Sequence, residues 1–352
     1  MKKRMRFNAS VLTMALALFM GFSSVANAEK VAIIDAGSSG SRLYVYEMDQ
    51  QQVKLIFPLT KEQKKASRGR ALSSIANHTD SVKVFLQNMT SCYKGEDLPL
   101  YIMATAGMRL KPKAQADSIY NLLKQQPTLN GYTVKEAMTI SGQYEGLYGW
   151  LAANYANGKI ALDATSTKPV LTYTTTPSGI IEIGGASLQI AFKLSAPHAN
   201  SLSRPGLGDI YTISYLGAGV DQIYKHTEQG RRYKFHYDFD ESVSKLYGKD
   251  TQFWGLSIPI ANVLNGMDEQ THKRTFKGKL KAYIKSLKHF EDTPQNYHPR
   301  MNSHYIKEVI YDLDLDNRLD LAEEDSSWPL GAALDIAVYK ISPESFDHQH
   351  PN

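Results

Sequence analysis

Two stretches of the chain end an apolar run with an acid and then turn on glycine and serine. Residues 31–48 read VAIIDAGSSGSRLYVYEM, and residues 179–194 read GIIEIGGASLQIAFKL. In the first, Val31 to Ile34 form a short run suited to a buried strand, Asp35 ends it, and Leu43 to Tyr46 resume strand composition. Ile180, Ile181 and Glu182 repeat Ile33, Ile34 and Asp35, and Gly184 to Ser187 repeat the first turn. Such a turn aims backbone N–H groups and serine hydroxyls at one point, which is an anion cradle. An acid at the end of the preceding strand can hold a cation against that anion. One such hairpin is equally an ordinary turn, since glycine and serine are the usual turn residues. Two with the carboxylate at the same offset suggest two related lobes clamping a chain of phosphates with a metal between them.

Two further residues stand where chemistry is possible. Thr105 follows an expected strand over residues 98–103 and precedes Gly107. It suits a phosphate or an attacking water, although a strand-to-helix cap is the simpler reading. Glu145 lies in the first turn of an expected helix over residues 143–155. Its position favours a helix-dipole partner, because acids are common there. The functional alternative is a general base pointing into a cleft.

The elements that must position these groups fit a globular chain of 352 residues, long enough for two domains. The apolar and charged fractions are ordinary. Lys2, Lys3, Arg4 and Arg6, an apolar segment over 11–20 and Ala26-Asn27-Ala28 read as a secretory leader over 1–28, with an uncleaved anchor as the alternative. That leader carries four of the 40 lysines and arginines and none of the 35 acids, so the chain from Glu29 onward has 36 basic against 35 acidic residues, a net +1. No nucleic-acid footprint is expected from that balance. No later segment is long and apolar enough for a membrane span, and the mature protein is expected to be a monomer. The single cysteine, Cys92, permits no intrachain disulfide and reads as a small core residue.

Further along, residues 61–70 are basic and polar, and 71–89 have helical spacing. Residues 157–177 read as loop, 253–266 and 273–290 as helices, and Trp328 opens a last helix to about Lys340. Asp312, Asp314, Asp316, Asp320 and Glu323 sit at ligand offsets of a calcium loop, with Asn317 in place of the required glycine. The intervening leucines suit a half-buried element better. The expected division is an N-terminal lobe over 29–160 and a C-terminal lobe over 161–345, with a tyrosine-rich insert around 195–310.

Five segments taken together carry a resemblance. They are residues 35–42 (DAGSSGSR), 104–109 (ATAGMR), 143–150 (QYEGLYGW), 182–189 (EIGGASLQ) and 328–331 (WPLG). In this order they resemble the five apyrase conserved regions of the nucleoside triphosphate diphosphohydrolases, the apyrase or GDA1/CD39 family. The resemblance implies an α/β fold with two lobes of the actin, Hsp70 and sugar-kinase (RNase H-like) type, and an active site in the cleft between them. It implies release of terminal phosphates from nucleoside tri- and diphosphates, with Mg²⁺ or Ca²⁺ as cofactor; the leader, cleaved near Ala28, adds the expectation of a secreted or periplasmic location.

Residue by residue, Glu145 matches the base that activates water. Thr105 and Gln189 match residues that position that water. Gly37, Ser38, Ser39, Gly40 and Ser41 match the first phosphate loop, and Gly184, Gly185, Ala186 and Ser187 the second. Asp35 and Glu182 match acids that hold the metal largely through its water. Trp328 matches a supporting tryptophan. Glu182 stands where many members have Asp, and Gly40 where cell-surface members usually have His. Nothing in the motifs marks the base pocket. Trp254 and Tyr305 are candidates only as aromatics in or after the insert, and core packing explains either one. An exopolyphosphatase-like enzyme and a non-catalytic actin-like nucleotide-binding module are the competing functions.

Overall fold

The computed structural model describes residues 28–49, 51–163, 165, 168–227, 239, 242–289, 299–323 and 326–340. The expected leader, apart from Ala28, and residues 228–238 of the tyrosine-rich stretch lie outside them. The first sheet contains β1 (Glu29–Ala36), β2 (Ser41–Met48), β3 (Val53–Phe57), β4 (Arg68–Gly69), β5 (Leu98–Ala104) and β6 (Tyr132–Thr139). Its order is β3-β2-β1-β5-β6, with β4 paired to β2. β1 runs antiparallel to β2 and parallel to β5.

Period-two alternation gives β1 two jobs. Ala32, Ile34 and Ala36 pack into a cluster with Val82, Phe85, Leu86 and Ile119. Those side chains come from α2 (Thr79–Thr90) and α4 (Lys113–Lys124). Val31 and Ile33 face the other way, into a cluster with α5 (Gly142–Ala156). Asp35 shares their parity and is therefore delivered to the α5 side of the sheet.

Between those elements lie α1 (Lys61–Ala66) and α3 (Ala106–Arg109). The basic stretch at 61–70 becomes α1, opened by a Thr60–Gln63 capping box, and then β4. The helix expected over 71–89 starts only at Thr79, where the His78 side chain accepts from the Asp80 N–H. Residues 157–177 include a hairpin, β7 (Ile160–Asp163) and β8 (Val170–Tyr173), where a loop was expected. Its Ile160 and Leu171 bury against the α5 cluster, a tertiary gain that the local turn residues conceal.

The second sheet contains β9 (Gly179–Ile183), β10 (Ser187–Lys193), β11 (Ser201–Arg204), β12 (Gly208–Leu216), β13 (Phe253–Leu256) and β14 (Leu319–Leu321), in the order β11-β12-β10-β9-β13-β14. After the short α6 (Val220–Thr227) and α7 (Val243–Leu246) come α8 (Ile258–Asp268), α9 (Phe276–Ser286) and α10 (Pro299–Asp312). The last three cover the sheet face that carries Ile181, Ile183 and Phe253. Ile180 faces the α5 cluster instead, and Glu182 shares its parity. Each sheet therefore presents its carboxylate toward the same helix.

The helix expected over 253–266 is split. Phe253 to Leu256 pair parallel to β9, and the helix starts beyond Ser257 with Pro259 in its first turn. Aromatic composition and an open sheet edge outweigh helical spacing there. The acidic run at 312–323 is a buried-leucine connection. Leu313 and Leu315 are buried, Asp314 pairs with Arg318 at 3.0 Å, and Asp320 belongs to β14.

The last helix, α11 (Trp328–Tyr339), packs along α5, and both are apolar on nearly every side. That composition fits helices enclosed between layers. No helix among the described residues is long and apolar enough to cross a membrane. The crossing is close because Gly331 lies on the Tyr148 backbone, where an added methyl would overlap the Tyr148 carbonyl. A buried pair fixes its far end: Arg204 of β11 donates twice to Asp335, at 2.7 and 3.0 Å. Gly331→Ala is expected to destabilise the protein by about 3 kcal/mol, the upper range for overpacking, because backbone must move. A urea unfolding midpoint equal to that of the parent would refute this view of the crossing.

Candidate active site

The turn at 37–40 and the turn at 184–186 face each other. A Cβ on Gly185 would lie 2.7 Å from Ser38 Oγ and would overlap the Asp221 carboxylate. A Cβ on Gly107 would lie 2.8 Å from Ser38 Cα. Glycine at these two positions is thus needed for the close approach of one turn to the other and of α3 to the first. Ser39 is exposed, Gly37, Ser38 and Gly40 are half-buried, and Ser41 is buried with its hydroxyl unpartnered. The Thr105 N–H donates to Ala36 O at 3.3 Å, tying the end of β5 to the first turn. Thr105 is buried and its side chain makes no capping bond, so a helix cap does not account for it.

Glu145, 7 % exposed in the first turn of α5, lies within electrostatic reach of Asp35 and Glu182, the acids that precede these turns. Its Oε2 accepts from Arg109 Nη2 at 2.8 Å and from Gln189 Nε2 at 3.1 Å. Arg109 also donates to Ser187 Oγ at 3.1 Å and to Ile140 O at 3.1 Å. Gln189 Nε2 approaches Ser187 Oγ at 2.6 Å and Ser214 Oγ at 3.1 Å as well. Its Oε1 is buried with no protein donor. A dipole partner at a helix start would be solvated. Glu145 is instead fixed by Arg109 of α3 and Gln189 of β10, with one oxygen occupied.

Asp35 and Glu182 flank this group. Asp35 faces Arg42 loosely, at 3.8 Å. Its pKa is raised to about 7, first by burial, while Arg42 lowers it and the Glu145 charge adds to the rise. Glu182 is pushed up in the same direction by burial and by the Glu145 and Asp35 charges. Its Oε2 rests on Gly149, about 3.4 Å from where a Cβ would stand, and has no hydrogen-bond partner. Three carboxylates thus share a buried volume in which Arg109 is the close cation and Arg42 a looser one. The Glu182 oxygen left without a donor fits a divalent ion, which would favour the ionised carboxylates. Among the described residues no three acids or histidines converge for direct ligation. A metal here would be held by Asp35 and Glu182 largely through its water.

The aromatic candidates behave differently. Tyr305 is buried in the second-sheet core and its hydroxyl donates to Ala218 O at 2.6 Å, so it offers no face to a base. Tyr305 takes no part in a base pocket, because its ring packs from α10 into the second-sheet core. Trp254 is half-buried, mid-strand in β13, and packs on the α5 cluster. Sequence reasoning gave no role to Arg109, although it ends one of the five segments. Ser214 had no signal at all, because it reaches the site only through the pairing of β12 with β10.

Residues 23–236 match the GDA1/CD39 (nucleoside phosphatase) family. The chain belongs to that family. It is 29 % identical over 236 residues to bovine ectonucleoside triphosphate diphosphohydrolase 1, covering 61 % of this chain and 45 % of that protein. It is 31 % identical over 226 residues to the nucleoside-diphosphatase mig-23 of Caenorhabditis elegans, covering 54 % and 40 %. The chain thus spans less than half the length of these curated relatives. Among solved structures, a Ppx/GppA family protein from Aquifex aeolicus superposes with a TM-score of 0.55 at 15 % identity, over 87 % of this chain and 98 % of that one. That likeness bears on fold alone and agrees with the two-lobed, actin-like architecture.

Proposed function

We propose that the protein hydrolyses the terminal phosphoanhydride of nucleoside tri- and diphosphates by water that Glu145 activates. The observation that carries this is the fixed Glu145 beside Asp35 and Glu182, the acids that precede two facing glycine turns. Phosphoryl transfer needs an aligned nucleophile and neutralisation of charge, with little covalent help. Arg109 and Gln189 hold Oε2, which leaves Oε1 as the proton acceptor. The free Gln189 Oε1 accepts the second proton of the same water and so fixes its orientation. The Thr105 hydroxyl contributes from the first sheet. N–H groups of the two turns at 37–41 and 184–187 receive the phosphate oxygens, except that of Gly184, which donates to Ser187 O at 3.0 Å. A divalent cation, Mg²⁺ or Ca²⁺, supplies charge neutralisation when bound. The two sheets belong to lobes dividing near residue 160, and the leader motif at 1–28 supports export to a periplasmic or extracellular space.

The test is phosphate release from ATP, ADP and inorganic polyphosphate, with Mg²⁺, with Ca²⁺ and with EDTA. Metal-dependent release from both nucleotides is expected. Release from polyphosphate alone would transfer the reading to an exopolyphosphatase, and tight ATP binding without release to a binding module.

A further inference from the structure

A line of charge runs sideways out of the site across three strands. Asp35 on β1 is opposite Arg42 on β2, and Arg42 is opposite Arg68 on β4. Directly opposed residues project from the same face of a sheet, so one carboxylate and two guanidiniums line up from the reaction centre to the sheet edge. β4 is seated on the first glycine turn itself: a Cβ on Gly40 would stand 3.0 Å from Gly69 O. The Tyr44 phenol, next on this face, feels Asp35, Arg42 and Arg68 together.

Two like charges directly opposed across strands are destabilising, and the Asp35 carboxylate offsets only the inner one, Arg42. Arg42 reaches Asp35 only at 3.8 Å, and the exposed Arg68 guanidinium has no ion-pair partner among the described residues. Paired guanidiniums with open donors match the oxygens of a phosphate, which can take two parallel N–H bonds from each fork. We propose that Arg42 and Arg68 form a phosphoryl-anion subsite on the flank of the first glycine turn, separate from the two turns that receive the cleaved group. The anion comes either from released orthophosphate or from an outer phosphate of a chain longer than a triphosphate. The subsite deepens the hydrolase reading and rests on it only for the identity of that anion.

Calorimetric titration at low ionic strength tests it. Inorganic phosphate and tripolyphosphate are titrated separately, with Mg²⁺, into Glu145→Gln protein so that no chain is consumed. Adding Arg68→Ala is expected to weaken binding about tenfold, the usual scale for a charge-assisted hydrogen bond, and Arg68→Lys is expected to recover part of it. Loss toward both anions identifies released phosphate as an occupant. Loss toward tripolyphosphate alone identifies the outer phosphate of a chain. Unchanged affinity for both overturns the subsite. Arg68 is exposed and lies in a two-residue edge strand, so the variant is expected to fold, and an unfolding curve on the same sample verifies it. If the parent protein releases no phosphate from nucleotides while Arg68→Ala still loses anion affinity, the hydrolase reading falls and the subsite stands.

Discussion

Glu145→Gln is expected to lower kcat for nucleotide hydrolysis by about 10²–10⁴-fold, the range for loss of a general base, while leaving nucleotide affinity near the parent value. The amide is isosteric. Its oxygen can keep the Arg109 and Gln189 hydrogen bonds that Oε2 accepts at 2.8 and 3.1 Å, so the network holds its shape. The NH₂ group then faces the water and cannot take its proton. Two electrostatic changes oppose each other. The repulsion that Glu145 exerts on Asp35 and Glu182 is relieved, and Arg109 loses its close carboxylate. Stability is therefore expected to change less than turnover. Single-turnover phosphate release, paired with nucleotide titration, separates the two quantities. If kcat survives within about threefold, far short of the loss expected for a base, another group is the base. Arg109→Ala is the companion, acting through Glu145 rather than on substrate. It frees the carboxylate to swing, so kcat should fall with a shifted pH profile, and Arg109→Lys should restore part of both.

The two strand–acid–turn units were legible because everything in them is local. Period two puts Asp35 with Val31 and Ile33 and puts Glu182 with Ile180, and glycine marks the turns. Glu145 shows where local signals stop. From position it looked like a dipole partner. The facts that overrule this are its contacts with Arg109, 36 residues away, and Gln189, 44 residues away. Only the resemblance to a family of known chemistry raised it to a base. The α8 region failed for a related reason. Phe253 to Leu256 have the composition of either element, and the free edge of β9 decides. Tyr305 was an aromatic in the right part of the chain, but its ring was needed in the core.

In EDTA, the protein is expected to lose stability as pH rises from about 4 to about 7, and Mg²⁺ is expected to flatten that loss. Folding raises the Asp35 pKa from 3.8 to about 7, chiefly by burial. The sign comes from proton binding: between those values the folded state holds a proton that the unfolded state has released. Stability is therefore highest below the unfolded value and declines until pH passes the folded one. At 1.36 kcal/mol per unit the Asp35 contribution amounts to about 4 kcal/mol. Glu182 moves in the same direction, driven by burial and by the neighbouring acids. A divalent ion binds the deprotonated carboxylates, so it stabilises the folded protein more at a pH of about 8 than at about 5. Other titrating groups contribute slopes of their own, and Asp35→Asn isolates this one. The asparagine cannot ionise, so the EDTA profile of the variant should be shallower than the parent profile between about pH 4 and 7. Urea midpoints across that range, with and without Mg²⁺, provide the measurement. Parallel profiles in EDTA and Mg²⁺ would mean that Asp35 and Glu182 hold no cation, and the charge neutralisation assigned to them would then fall to Arg109 and Arg42.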